Sequence, residues 1–85
     1  MKFFVEYTIY RTGEDTLEIT KCKGDPPAYP DEVLCRQNWE WDSALEDEIW
    51  LWTSWKTIVE ADCQVAAIRR GIPVLDREMK EMGYK

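Results

Sequence analysis

From the first residues onward, apolar and polar side chains alternate. Phe3, Val5, Tyr7 and Ile9 fall on one face of an extended segment, with Glu6 and Thr8 on the other. Thr12-Gly13-Glu14-Asp15 has the composition of a turn, after which Leu17 and Ile19 alternate with Thr16, Glu18 and Thr20. This period of two predicts an antiparallel β-hairpin with strands over about 2–11 and 16–23. The apolar residues of both arms carry odd numbers, so a shared face needs a loop of odd length. A three-residue loop at 13–15 sets Ile9 opposite Ile19. A lone hairpin is marginal in water and must pack on something.

Further along, the pattern turns helical. GDPPAYP (24–30) is a loop by its three prolines and glycine, and Pro30 suits the first position of a short helix over about 30–36. Ser43-Ala-Leu-Glu46 fits a capping box. Behind it, Leu45, Ile49, Trp52, Val59, Cys63 and Ala66 share one broad helical face, with Trp55 at its margin. An unbroken helix over residues 43–70 would be ~42 Å long at 1.5 Å per residue, more than a domain of this size spans. The spacing therefore predicts a break near Thr53–Ser54 and two helices, about 43–53 and 54–70. A rival reading makes EIWLWTSW a third strand, because tryptophan favours strands. Gly71 is expected to end the second helix, with Arg69 and Arg70 in its last turn. Pro73 opens a last helix over about 73–82, with Leu75, Met79 and Met82 on one face and Gly83 closing it. The expected fold is α+β: an N-terminal antiparallel hairpin packed on two to four C-terminal helices, all in one small domain over 1–85.

Charge sharpens this outline. The formal net charge is −6 over 85 residues. Residues 25–62 hold ten acids against Arg36 and Lys56 alone, whereas residues 1–24 balance and residues 63–85 are basic by two. Such a middle repels nucleic acid and attracts basic partners. No apolar run approaches the ~20 residues that cross a bilayer. Glu6 and Arg11 interrupt the apolar start, so no signal peptide is read. Cys22, Cys35 and Cys63 are odd in number and lack C-x-x-C spacing, which fits a reduced, cytoplasmic setting.

Little in the chain speaks of catalysis. Without histidine there is no Ser-His-Asp or Cys-His arrangement and no histidine general base. Phosphate-loop and dinucleotide glycine motifs are absent, as is a calcium-loop pattern of acids. Glu46, Asp47 and Glu48 read as a solvated helix start, and Cys63 as a core thiol. Arg69, Arg70, Arg77 and Lys80 read as helix-end charges engaged within the chain. A helix-turn-helix over 64–83 is disfavoured by Asp76, Glu78 and Glu81 on its second helix. Neither enzymatic activity, nor a cofactor or metal, nor direct nucleic-acid binding is expected.

What stands out is NWEWDSALEDEIWLWTSW (38–55), which holds all five tryptophans and five carboxylates but no lysine or arginine. Trp52 and Trp55 read as core. Trp39, Trp41 and Trp50 exceed what a core this small can hide. Acids around exposed indoles suit an arginine- or lysine-rich partner, which ion pairing and cation–π contact would hold. The expected partner-binding residues are Trp39, Glu40, Trp41, Asp42, Glu46, Asp47, Glu48 and Trp50. The function expected is that of a non-catalytic inhibitor occupying a basic, nucleic-acid-binding site on a target protein. This outline is similar to small phage-encoded anti-CRISPR and anti-restriction inhibitors. The similarity is one of size, acidity and aromatic density; it implies nucleic-acid mimicry in a host cytoplasm and transfers no residues. The alternative is a homodimer or accessory subunit that buries the tryptophan surface or pairs through a hairpin edge.

Overall fold

The computed structural model describes residues 1–24 and 33–84. Four strands, β1 (Lys2–Tyr10), β2 (Asp15–Lys21), β3 (Leu34–Asp42) and β4 (Asp47–Glu60), precede one helix, α1 (Gln64–Glu81). They form one antiparallel sheet in the order β2-β1-β4-β3. The fold is therefore α+β, with a sheet richer and a helical part poorer than the sequence pattern predicts.

The N-terminal hairpin forms as expected, with odd-numbered residues facing one another: Val5 opposes Ile19 and Tyr7 opposes Leu17. Its turn sits two residues earlier than predicted, so Ile9 meets Asp15 rather than Ile19. The reason is Gly13. In a three-residue hairpin loop the last position takes a positive φ, and Gly13 has φ 91° while its amide bonds the Tyr10 carbonyl. The loop is thus 11–13.

Tyr7 donates from its hydroxyl to Asp15 Oδ2 at 2.6 Å, which closes this end of the hairpin. The hydrogen bond to Asp15 first, then burial, then the charges of Asp15 and Asp76 push the Tyr7 phenol up to about 12. The fold favours the neutral phenol. Its contribution is whole below the ordinary tyrosine value of about 10 and is lost as the pH climbs from there through the raised value. An alkaline absorbance titration is expected to show one tyrosine ionising near 12, with stability falling across the same window. Tyr7→Phe should remove that late component; its persistence in the variant would place the raised group elsewhere.

The helix predicted over 43–53 does not form, and of the one predicted over 54–70 only residues 64–70 are helical, as the start of α1; the rival strand over EIWLWTSW is what forms. Residues 47–60 are β4, and 43–46 are the turn between β3 and β4. Asp42 takes the capping role assigned to Ser43: its Oδ1 accepts the amides of Ala44 and Leu45 at 2.9 and 3.2 Å. Glu46 then adopts φ 53°, a left-handed conformation that turns the chain into β4 instead of continuing as a helix. The short helix over 30–36 is replaced by the start of β3 at Leu34, its earlier residues 30–32 and the GDPPAYP loop from 25 lying outside the described residues.

Among the described residues only α1 is helical, and it runs through both Gly71 and Pro73, which the pattern read as an end and a new start. Ala67, Gly71, Leu75 and Met79, four residues apart, make its buried stripe. Gly71 serves a close approach: a Cβ placed there would lie 2.8 Å from Val5 Cβ, Cγ1 and Cγ2. Pro73 leaves the Arg69 carbonyl without the amide partner that a helix normally supplies. The C-terminus ends as expected at Gly83, φ 85°, in a Schellman motif. The Gly83 amide bonds the Lys80 carbonyl and the Tyr84 amide bonds the Met79 carbonyl at 2.9 Å. This turn throws Tyr84 back onto Trp55, edge to face at 4.8 Å.

The core lies between α1 and one sheet face: Phe3, Val5, Trp55, Ala61, Ala67, Leu75 and Met79. Trp55 is wholly buried, stacked beside Tyr7 and with its indole N–H against Met82 Sδ. Trp52 is half-buried on the opposite sheet face, opposite Tyr10. Cys63, expected in the core, is exposed at the start of α1. The other face of the sheet carries no helix among the described residues.

Candidate functional site

β4 is five residues longer than β1, and the two ladders it makes do not coincide. β1 pairs with β4 from Glu60 to Trp52, and the Arg11 amide reaches the Leu51 carbonyl at 2.8 Å. Beyond that point β3 and β4 continue alone, Trp39 opposite Trp50 through Asp42 opposite Asp47, and close on the turn 43–46. Four pairs at ~3.3 Å per residue give this two-stranded arm a reach of about 13 Å before its turn. It contributes to a molecule 49 Å long and 27 Å wide.

A β-bulge governs what the arm presents. Asn38 pairs with Trp52 and Trp39 with Trp50, so Leu51 is the extra residue, on β4. The bulge shifts the alternation of β4. Thr53, Trp55 and Thr57 face α1 on the body of the sheet, whereas on the arm the same face carries Trp50 and Glu48. β3 has no insertion, so Cys35, Gln37, Trp39 and Trp41 all share that face. The result is an aromatic strip that begins where α1 ends.

Polar links tie the strip to the body. Trp50 Nε1 donates to Thr53 Oγ1 at 2.7 Å, and Thr53 Oγ1 shares a hydrogen bond with the Tyr84 hydroxyl at 3.2 Å. Gln37 Nε2 donates to the same hydroxyl at 3.2 Å, and Trp39 Nε1 donates to Gln37 Oε1 at 3.3 Å. Two indole N–H groups are thus satisfied from the body side. What Trp39 offers to solvent is mainly carbon, and it is 51 % exposed; Trp41 is 62 % exposed. Leu45, at the tip, is equally open at 62 %.

The eight sequence-predicted residues all fall on this arm, but on different sides of it. Trp39, Trp41, Glu48 and Trp50 share the α1-side face, Glu40, Asp42 and Asp47 take the other, and Glu46 lies in the turn. Trp50 is half-buried rather than open. Asp42 and Asp47 stand directly opposite one another as a like-charged pair, each with one carboxylate oxygen spent on nearby backbone amides. Gln37, Thr53 and Tyr84, which orient the indoles, and Leu45 at the tip escape a reading by residue type. Gln37 could be found from its i, i+2, i+4 series with Trp39 and Trp41, and Tyr84 from the glycine before it.

Chemistry elsewhere is sparse. Among the described residues no three of Cys, Asp or Glu gather so as to hold a metal ion, and no helix is long and apolar enough to cross a membrane. The three cysteines are free. Burial, and then the Glu78 carboxylate, push the Cys35 thiol up, away from the thiolate a nucleophile needs. Of the helix cations, Arg70 Nη1 donates to the Glu60 carbonyl, which anchors α1 to the end of β4. Comparison of the chain with protein-family models, with curated proteins and with solved structures finds no match.

Proposed function

We propose that this protein is a small, acidic, non-catalytic binding protein whose β3–β4 arm docks on a basic site of a target protein. The reading extends to an inhibitor that occupies a nucleic-acid-binding site, its carboxylates standing in for phosphates. The observation that carries it is the arm itself. Two tryptophans more than half exposed stand on a projecting ribbon beside Glu48, with Glu40, Asp42 and Asp47 on its other face, Glu46 in its turn, and no cation from residue 37 to residue 55. Exposed indoles ringed by polar groups are the usual makings of a binding hot spot, and the acid excess selects cationic partners.

The test is capture from nuclease-treated bacterial lysate by the tagged protein, beside two variants. Trp39→Ala/Trp41→Ala removes the indoles; Glu40→Lys/Glu48→Lys reverses charge without touching Asp42, whose carboxylate holds the turn. Each tryptophan is expected to cost the complex about 2 kcal/mol, so the double variant should lose roughly 1,000-fold in affinity if the two add. Both variants should keep the wild-type melting midpoint to within a few degrees. A basic target retained equally by all three proteins would remove the arm from the interface.

A further inference from the structure

β3 is an outer strand: the order β2-β1-β4-β3 leaves its far side unpaired among the described residues, over nine residues. Free edges of this length pair with other chains unless something prevents it. Its sequence, Leu34-Cys-Arg-Gln-Asn-Trp-Glu-Trp-Asp42, is centred on Asn38. Arg36 and Glu40 stand two residues to either side of that centre, with opposite charge. We infer that β3 pairs antiparallel with β3 of a second copy about a two-fold axis at Asn38, continuing the four-stranded sheet into one of eight strands.

Three features favour this register. First, it uses the whole strand, Leu34 opposite Asp42 of the second copy, and it keeps each face of the sheet continuous, even numbers against even and odd against odd. Second, it sets Arg36 opposite Glu40 of the second copy, twice, on the face without a helix. Among the described residues Arg36 has only a 4.0 Å contact with Glu6 and is 60 % exposed, and Glu40 makes no ion pair. Third, on the α1 side it lays Trp39 beside Gln37 of the second copy and Trp41 beside Cys35. The two Trp39 rings then stand as diagonal neighbours, within reach of one another. The two most exposed indoles on β3 are thereby covered by the same pairing that matches the charges. A shift by two residues would bring Arg36 to Asp42, but the Asp42 carboxylate is already engaged with Ala44 and Leu45. The bulge does not interrupt the edge, because its extra residue is on β4.

An isologous pairing of this kind has a diagnostic charge swap. Light scattering after gel filtration at ~0.15 M salt, where long-range repulsion between chains of net charge −6 is screened, should give twice the chain mass for the wild type. Glu40→Arg sets arginine against arginine twice and should weaken the dimer about 100-fold, as should Arg36→Glu, which sets glutamate against glutamate. Mixing the two monomeric variants should restore a dimer. The strand with two glutamates then faces the strand with two arginines, and both cross-strand pairs are again of opposite charge. The double variant Arg36→Glu/Glu40→Arg should dimerise alone. A monomeric wild type at about 100 μM, well above the Kd of a stable dimer, would overturn the pairing. So would a Glu40→Arg protein that remains a dimer, or a mixture that stays monomeric. Because Glu40→Arg leaves the Glu6 contact intact, its monomer cannot be ascribed to a disturbed β1. The pairing goes beyond the foreign partner proposed above and stands or falls separately from it. Both would use Trp39 and Trp41, so a chain engages one or the other at a time.

Discussion

Trp55→Ala is expected to destabilise the protein by about 3–5 kcal/mol, the largest effect of any single truncation in the sheet. The indole is fully buried at the crossing of β4 with β1, β3 and the end of α1. It stacks near Tyr7, receives the edge of Tyr84 and donates to Met82 sulfur at 3.2 Å. Truncation therefore leaves a cavity and also frees the Schellman turn that Tyr84 closes, along with the polar links from Tyr84 to Thr53 and Gln37. Since a domain of this size is stable by roughly 5–10 kcal/mol in total, the variant should be near its unfolding threshold at room temperature. Urea titration followed by far-ultraviolet circular dichroism measures the loss. Trp55→Phe, which keeps a ring in place, should lose less than half as much. A Trp55→Ala stability within about 1 kcal/mol of wild type would mean that the core is not organised around this residue.

Gly71→Ala carries the second largest expected effect on stability, and its sign opposes helix propensity. In an exposed helix interior the change would gain about 1 kcal/mol. Here the new methyl meets three carbons of Val5 at 2.8 Å. Val5 Cβ is fixed by the sheet and fully buried, so relief requires α1 to lift from β1. Overpacking of this kind costs about 1–3 kcal/mol, and we expect a net loss near ~2 kcal/mol. Val5→Ala removes two of the three clashing carbons. The double variant should then be more stable than the sum of the single losses by about 1 kcal/mol or more, a coupling that chemical denaturation of the four proteins reads directly. A gain in stability from Gly71→Ala alone would show that α1 stands further from the sheet.

These two residues also mark where the sequence could and could not be read. The N-terminal hairpin was legible because one face of β1 is covered and the other open, so its polar and apolar residues alternate cleanly. β4 hides its period. Trp52 and Ile58 lie on the uncovered face, while Thr53 and Thr57 lie under the helix, so hydrophobicity does not separate the faces. The bulge at Leu51 adds a step of three, from Trp50 to Thr53, on the covered face. A strand with that step, followed by Val59 and Ala66, imitates helical spacing. Ser43-Ala-Leu-Glu46 compounded the error, because the same residues make the turn between β3 and β4, where Glu46 takes a positive φ and the amides of Ala44 and Leu45 bond the Asp42 carboxylate. Gly71 was read as a terminus because propensity knows nothing of Val5. The candidate residues were nonetheless singled out from composition alone, since the five acids and five tryptophans of residues 38–55, without a cation, do not depend on whether the backbone is helix or strand. Which of them share a face did depend on it, and there the reading could not go.

The placement of β1 and β4 side by side has a consequence for how the chain reaches this state. Each hairpin closes locally, β1 with β2 through a three-residue loop (11–13) and β3 with β4 through a four-residue one (43–46). The seam that joins them, Lys2 against Glu60 through Tyr10 against Trp52, brings together residues between 42 and 58 positions apart. During synthesis the first hairpin therefore has no inner neighbour until most of the protein has been made, and α1 has no surface to lie on until that seam has closed. The order of events is set by chain closure across the seam rather than by helix formation, which makes this a slower-folding topology than its size suggests.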